Sequence, residues 1–245
     1  MLVAVVLLAA VSGEAAGQPG IRAYVANRGA STLTVVDLFA AAVERTIALE
    51  APPHDVVLAD GRVFVSLPTV NRLAIVDPIS LTVTGSVAVP AAPRDLDQRD
   101  QALGAQRIYI STDDGLRVYD TAANTLSPAI AVGPGPLRAI EAGNAASFAF
   151  EDRAFVAACD GGAALRAVTV STGAVSMPIA TGAGPCAVLM TSNALYVANT
   201  ADDTVTVFSP ALTNPLTVPV ADMPIGLAWT PTGVWVASAS GTLTA

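Results

Sequence analysis

The chain of 245 residues contains a single histidine and two cysteines. With only His54 available, centres built on two or three histidines are excluded. A Ser-His-Asp triad would have one carrier, and no GxSxG elbow accompanies it. There is no CxxCH, which excludes covalent haem attachment. Lys and Arg number 12 against 20 Asp and Glu, for a net charge of −8. Without a basic cluster the chain lacks the electrostatic footprint of a nucleic-acid binder or of a protein drawn to an anionic membrane. A membrane-spanning helix needs roughly 20 apolar residues. The only candidate run, MLVAVVLLAAV at the N-terminus, has 11. Beyond it, no segment combines helical periodicity with good helix formers for more than about three turns.

What is present suits a packed β-rich domain. Hydrophobic residues make up 53% and charged residues 13%. Val and Thr are abundant, and frequent Gly and Pro favour short strands joined by tight turns. The N-terminal run followed by SGEAAGQPG reads as a secretory signal peptide over residues 1–17. Small residues stand at −3 and −1 for a cut after Ala15 or after Gly17. No Lys or Arg precedes the run, as would follow from a start assigned too late or a missing 5′ end. The alternative use of the run is an apolar N-terminal strand. Export would carry the chain to the periplasm, the cell surface or the medium, where its two cysteines can pair.

A repeat organises residues 21–245. An aromatic residue followed by small β-formers recurs at Tyr24, Phe64, Tyr109, Phe155, Tyr196 and Trp235, at intervals of 40, 45, 46, 41 and 39. Pro53, Pro93, Pro136, Pro185 and Pro224 keep the same rhythm, each opening a short apolar strand. After each of the first five aromatic strands comes an alternating run: TLTVVD, RLAIVD, LRVYD, LRAVTV and TVTVF. The first three end in an Asp, whose carboxylate can accept backbone N–H groups and close a turn. A fourth, weaker strand closes the unit, as in ERTIALE and TVTGSVAV. Four short antiparallel strands per 40–45 residues is the blade of an all-β propeller. The strand after the proline is innermost, and the aromatic strand is second. Pro128, Pro178 and Pro219 fall in the rim strands, where a missing N–H discourages pairing with other chains.

YVANRGASTLTVVD and YVANTADDTVTVF resemble the YVTN-type β-propeller repeat of exported bacterial and archaeal proteins, and the resemblance extends over about residues 21–245. It implies about seven blades. The repeat count supplies five to six, with five inner strands and a last blade that stops part-way. The expectation is a seven-bladed ring truncated at its C-terminus, or else a six-bladed ring with an irregular last blade.

Candidate site residues follow the turn prolines, at the channel mouth where propellers commonly bind ligands: His54, Asp55, Arg94, Asp95 and Arg138. Such a mixed-charge cluster can hold an anion through Arg forks. Equally, these side chains can cap strand ends and pair across adjacent blades. Acidic turns at Asp113-Asp114, Asp160 and Asp202-Asp203 read as solvated turn carboxylates, because their spacing lacks the density of a calcium loop. Cys159 and Cys186 fall in adjacent blades, either as a disulfide or as two separate buried thiols. The overall reading is a non-enzymatic exported scaffold, monomeric and without cofactor or metal, that binds a protein, glycan or small molecule. The competing reading is a lactonase-type propeller hydrolase, which the chain also resembles at the level of fold. It would use His54, Arg94 and Arg138 to polarise a lactone and activate water.

Overall fold

The computed structural model describes residues 4–10, 21–99, 107–133, 139–142, 153–159 and 162–244. Among them the strands form antiparallel sheets in strict chain order. The first sheet is β1 (Ala4–Ala10), β2 (Ile21–Asn27), β3 (Thr32–Asp37) and β4 (Ala42–Ala48). The second is β5 (Val56–Ala59), β6 (Arg62–Leu67), β7 (Arg72–Asp77) and β8 (Thr82–Ala88). The third is β9 (Leu96–Arg99), β10 (Arg107–Thr112), β11 (Gly115–Asp120) and β12 (Thr125–Leu126). The fourth holds β13 (Ala139–Ala142), β14 (Arg153–Ala157), β15 (Ala164–Thr169), β16 (Ala174–Val175) and β17 (Ile179–Ala180). The fifth is β18 (Pro185–Met190), β19 (Leu195–Asn199), β20 (Thr204–Phe208) and β21 (Leu216–Pro219). The sixth is β22 (Pro224–Thr230), β23 (Gly233–Ser238) and β24 (Leu243–Thr244). These are propeller blades, and the fold is all-β.

One expectation about strand count is corrected. The described sheets contain six inner strands, not five, because the apolar N-terminal run forms β1. It pairs with β2 from Ala4↔Asn27 to Ala10↔Ile21. The last inner strand, β22, pairs with its own aromatic strand β23. The connections from β9 to β10 and from β13 to β14 lie outside the described residues.

Turn chemistry explains how each unit folds locally. Asp37 Oδ1 accepts from the N–H groups of Phe39 (2.8 Å) and Ala40 (2.9 Å). Asp77 does the same with Ile79 (3.0 Å) and Ser80 (2.6 Å), and Asp120 with Ala122 (3.1 Å) and Ala123 (2.9 Å). The bonds to Ser80, and after them the one to Ile79, hold the Asp77 carboxyl below its ordinary range. Where the fourth copy lacks the Asp, the backbone oxygen of Thr169 receives Thr172 and Gly173 instead. Four residues after each of these positions the chain turns left-handed, at Ala41 (φ 50°), Leu81 (53°), Asn124 (53°) and Gly173 (71°).

Rim prolines sit where the ladder breaks. Pro178 separates β16 from β17, and Pro128 follows β12. In both blades a serine hydroxyl replaces the missing backbone donor or acceptor. Ser127 Oγ accepts from Val118 N–H at 2.9 Å, and Ser176 Oγ from Ala167 N–H at 3.0 Å.

Contacts group the chain into two compact units, whose boundary runs through the third sheet. The first comprises Met1–Gln98, Ala105–Ile110 and Tyr119–Leu126; the second holds the remainder. Within the first, the two faces of the second sheet bury different partners, as strand alternation dictates. Val63, Val65 and Leu67 pack on Tyr24, Ala26 and Leu33 of the first sheet. Phe64 and Leu73 point the other way, onto Ile108, Ile110 and Tyr119. Within the second unit, Phe155 and Ala157 pack on Leu195 and Val197. The aromatic of one blade thus beds on the following blade. A blade that could not bury both faces alone gains its core by stacking.

Candidate functional site

The residues behind the turn prolines are held by the preceding blade. The holding group comes from the end of its aromatic strand. In the first blade this is Arg28, four residues after Tyr24. Its Nε donates to the His54 carbonyl oxygen at 2.8 Å. In the second blade Ser66 Oγ donates to the Arg94 carbonyl oxygen at 2.6 Å. In the fourth, Cys159 stands four residues after Phe155 and is joined to Cys186, with Cα atoms 4.5 Å apart. In the fifth, Thr200, four residues after Tyr196, donates from Oγ1 to the Pro224 carbonyl oxygen at 2.6 Å. Four residue types, through three chemistries, thus tie one blade to the start of the next inner strand.

Asp55 adds a second tie, from the second blade to the third. It is buried at the head of β5. Its Oδ1 accepts from Val56 N–H at 2.8 Å and its Oδ2 from Leu96 N–H, at the head of β9, at 2.7 Å. Its own N–H donates to Ser66 Oγ at 2.9 Å. Burial is the main influence on this carboxyl, and the Asp95 charge adds to it, raising its pKa from 3.8 to about 7. The N–H groups of Leu96 and Val56 and the charge of Arg28 pull the other way but are outweighed.

His54 lies beside this tie. Its Nδ1 is 3.1 Å from Asp95 Oδ1 and 3.3 Å from Arg28 Nη2. His54, Asp55, Asp95 and the main chain of Arg94 therefore lie at one junction. Arg138 lies outside the described residues. Among the described residues no group of three or more His, Cys, Asp or Glu is placed to hold a metal ion.

The acidic turns are structural connectors. Asp202 Oδ2 accepts from Ala183 N–H at 2.5 Å, and Asp203 Oδ1 from Met223 N–H at 2.7 Å. Both carboxylates sit in exposed turns and fix the approach to the inner strands β18 and β22. Asn199 completes the turn by donating from Nδ2 to Thr204 Oγ1 (3.0 Å) and Thr206 Oγ1 (2.8 Å). Asn27 makes the same pair of bonds to Thr32 and Thr34. Gly182 is required beside this turn, since a Cβ there would lie 2.8 Å from the side chains of Asn199 and Asp202. Asp114 has another task. Burial pushes its carboxyl up, but hydrogen bonds from Arg117 and Thr112 outweigh this and leave it below the usual range. Asp160 lies outside the described residues.

Sequence reasoning missed Arg28 and Ser66. Aligning the six copies on their aromatic residue would have raised Arg28, Cys159 and Thr200 together at one position. Ser66, two residues after its aromatic, carries no such signal.

The fold and this junction define a β-propeller whose conspicuous polar residues mostly dock blades on one another. No protein-family model matches the chain, and no curated protein matches it. Solved structures do resemble it. One is a chain of the crystal structure of the Mitotic Checkpoint Complex, at TM-score 0.74 and 11% identity, covering 92% of this chain and 70% of that one. Another is a functionally unknown protein from Desulfotomaculum acetoxidans, at TM-score 0.69 and 14% identity, covering 89% and 76%. A third is the WD40 domain of Pan2 from Neurospora crassa, at TM-score 0.68 and 10% identity, covering 91% and 70%. At such identities the likeness establishes the propeller fold alone.

Proposed function

We propose that the chain is an exported, non-catalytic β-propeller of the YVTN-repeat type that serves as a binding or scaffold protein. It would engage a protein, glycan or small molecule near the heads of its inner strands. The observation carrying this reading is the use already made of candidate site residues. Asp55 is occupied by two backbone N–H groups, and His54 stands between Asp95 and Arg28. The fold also serves in an assembly, in the checkpoint complex whose chain resembles this one. Export draws support from the Cys159–Cys186 pairing, which belongs to oxidising compartments.

Two measurements test the reading. Expression with the native N-terminus in a bacterial host, followed by fractionation and intact mass, reads export. Cleavage after Ala15 or Gly17 with both thiols oxidised is expected; the cut removes β1, so the mature first sheet begins at β2. Cytoplasmic retention at full mass, with β1 uncut and the thiols free, overturns export. One observation favours the hydrolase reading: the Asp95 carboxylate on His54 Nδ1 would leave Nε2 as a base. Assays with γ- and δ-lactones decide it. Turnover that disappears in His54→Gln would overturn the non-catalytic reading, and no turnover above buffer is expected.

A further inference from the structure

Each blade has a trailing face, which beds on the following blade, and a leading face, which receives the preceding one. The residues of the trailing face recur in sequence. In the first sheet they are Tyr24, Ala26 and Leu33, with Leu33 opposite Ala26. In the fourth they are Phe155, Ala157 and Leu165, with Leu165 opposite Ala157. None of these six is more than 1% exposed. In the sixth sheet the same positions hold Trp235, Ala237 and Leu243, with Leu243 opposite Ala237. Here Trp235 is 37% exposed and Leu243 66%. Ala228, opposite Trp235, is exposed as well. The end repeat of a stacked array ordinarily turns a polar face to solvent. This one does not, for β22, β23 and β24 carry no charged residue.

The chain itself shows what covers such a face. It is the leading face of a blade, marked by the β-branched residue that follows the aromatic. Val65, Ile110, Val156, Val197 and Val236 hold this position and are buried. Val25 holds it in the first sheet and is only half-buried. Thr34, opposite Val25, is half-buried too, whereas Thr206, opposite Val197, is buried. The sixth sheet thus has a trailing face, and the first a leading face, without the cover their counterparts receive. Val25 and Thr34 lie on β2 and β3, so removal of β1 keeps them. We propose that these two faces meet between copies of this chain, the sixth sheet of one copy bedding on the first sheet of another. The contact repeats the packing of blade on blade and is heterologous, running head to tail. The expectation of a monomer takes no account of these faces. This inference is independent of the proposed ligand site.

Sedimentation of the full chain over about 1–200 μM reads the association, and oligomers that grow with concentration are expected. Trp235→Glu and Val25→Glu each set a carboxylate in the apolar contact and should weaken association at least about tenfold. Each variant spoils one face and keeps the other, so their equal mixture should form a dimer that grows no further. Leu216→Glu, on the exposed strand β21, should leave association unchanged. Trp235→Cys mixed with Val25→Cys and a short bis-maleimide should link two copies even if the charged variants fold poorly, since the native cysteines are already paired. A wild type that stays monomeric throughout overturns the proposal. So does association that survives Trp235→Glu, or a failure of the two cysteine variants to link. A chain carrying both Trp235→Cys and Val25→Cys that links within itself overturns it too, by showing closure within one copy.

Discussion

Replacing Asp55 by Asn tests the tie between the second and third blades, because the amide keeps the carboxyl's shape and removes its ionisation. In the folded chain the carboxyl titrates near 7, against 3.8 in the absence of the fold. A folded pKa above the unfolded one means that the folded state holds the proton more tightly. The associated stabilisation is complete below about pH 4 and is lost as pH rises through 7. A shift of about three units at about 1.4 kcal/mol each makes the full loss about 4 kcal/mol, of which about 3 kcal/mol falls between pH 5 and pH 8. The groups acting on this carboxyl include Asp95, which reinforces the rise, and Arg28 with the N–H groups of Leu96 and Val56, which oppose it. His54, paired with Asp95, is the neighbour most able to confuse the result, so His54→Gln serves as the control. Urea unfolding at pH 5, 6, 7 and 8 is the assay. Wild type and His54→Gln should both lose stability across this range. Asp55→Asn should be flat. At pH 5 the Asn variant should be less stable than wild type by about 1 kcal/mol, because its NH₂ faces a backbone N–H that has lost its acceptor. By pH 8 the order should reverse. A wild type whose stability is constant or rises from pH 5 to 8 would refute the reasoning. So would an Asp55→Asn protein with the wild-type slope.

Reduction, or Cys159→Ser with Cys186→Ser, opens a loop with a sequence separation of 27 and should cost about 3 kcal/mol of unfolding free energy, lowering the denaturation midpoint. An unchanged midpoint with and without reductant would show that the covalent tie does not constrain the unfolded chain. Ala41→Gly should stabilise by about 0.5 kcal/mol, since Ala41 is exposed at φ 50° and the relief of left-handed strain slightly exceeds the entropy glycine adds to the unfolded state. A lower thermal midpoint in that variant would contradict it.

The blade pattern was legible because local rules fix it. Asp37, Asp77 and Asp120 close their turns with their own next residues, so a single line of sequence contains both partners. The first inner strand was ambiguous for a physical reason. Seven apolar residues suit a signal peptide's hydrophobic region and an inner strand equally well, and the pairing with β2 is fixed by a partner outside the run itself. Of the prolines expected in rim strands, Pro219 lies in one, whereas Pro128 follows β12 and Pro178 falls between β16 and β17. The serine side chains that repair the ladder beside Pro128 and Pro178 were not visible, because their partners are fixed only once the strands pair.

The junction between blades was harder to read, and the reason lies in what it recognises. Arg28, Ser66 and Thr200 all donate to backbone carbonyl oxygens. A carbonyl oxygen is offered by every residue, so the receiving side leaves no mark in the sequence. On the donating side any N–H or O–H of sufficient reach will serve, and the fourth blade dispenses with donation by using a disulfide. One structural task is therefore met by Arg, Ser, Cys and Thr, and no motif can be written for it. Meanwhile the acceptor segment carries side chains that draw attention, the half-buried His54, Arg94 and Asp95, in a chain with few charges. Their prominence led to a ligand-site reading, yet at His54 and Arg94 it is the main chain that the preceding blade grips. Asp55 is the exception, because there the side chain itself makes the tie, reaching the head of the next inner strand at Leu96. A carboxylate is suited to that place because its two oxygens can take the N–H groups of both strands at once. Its burial follows from that position, and its raised pKa follows from the burial. The pH dependence of stability is thus the readout that separates a docking carboxylate from a solvent-facing ligand group.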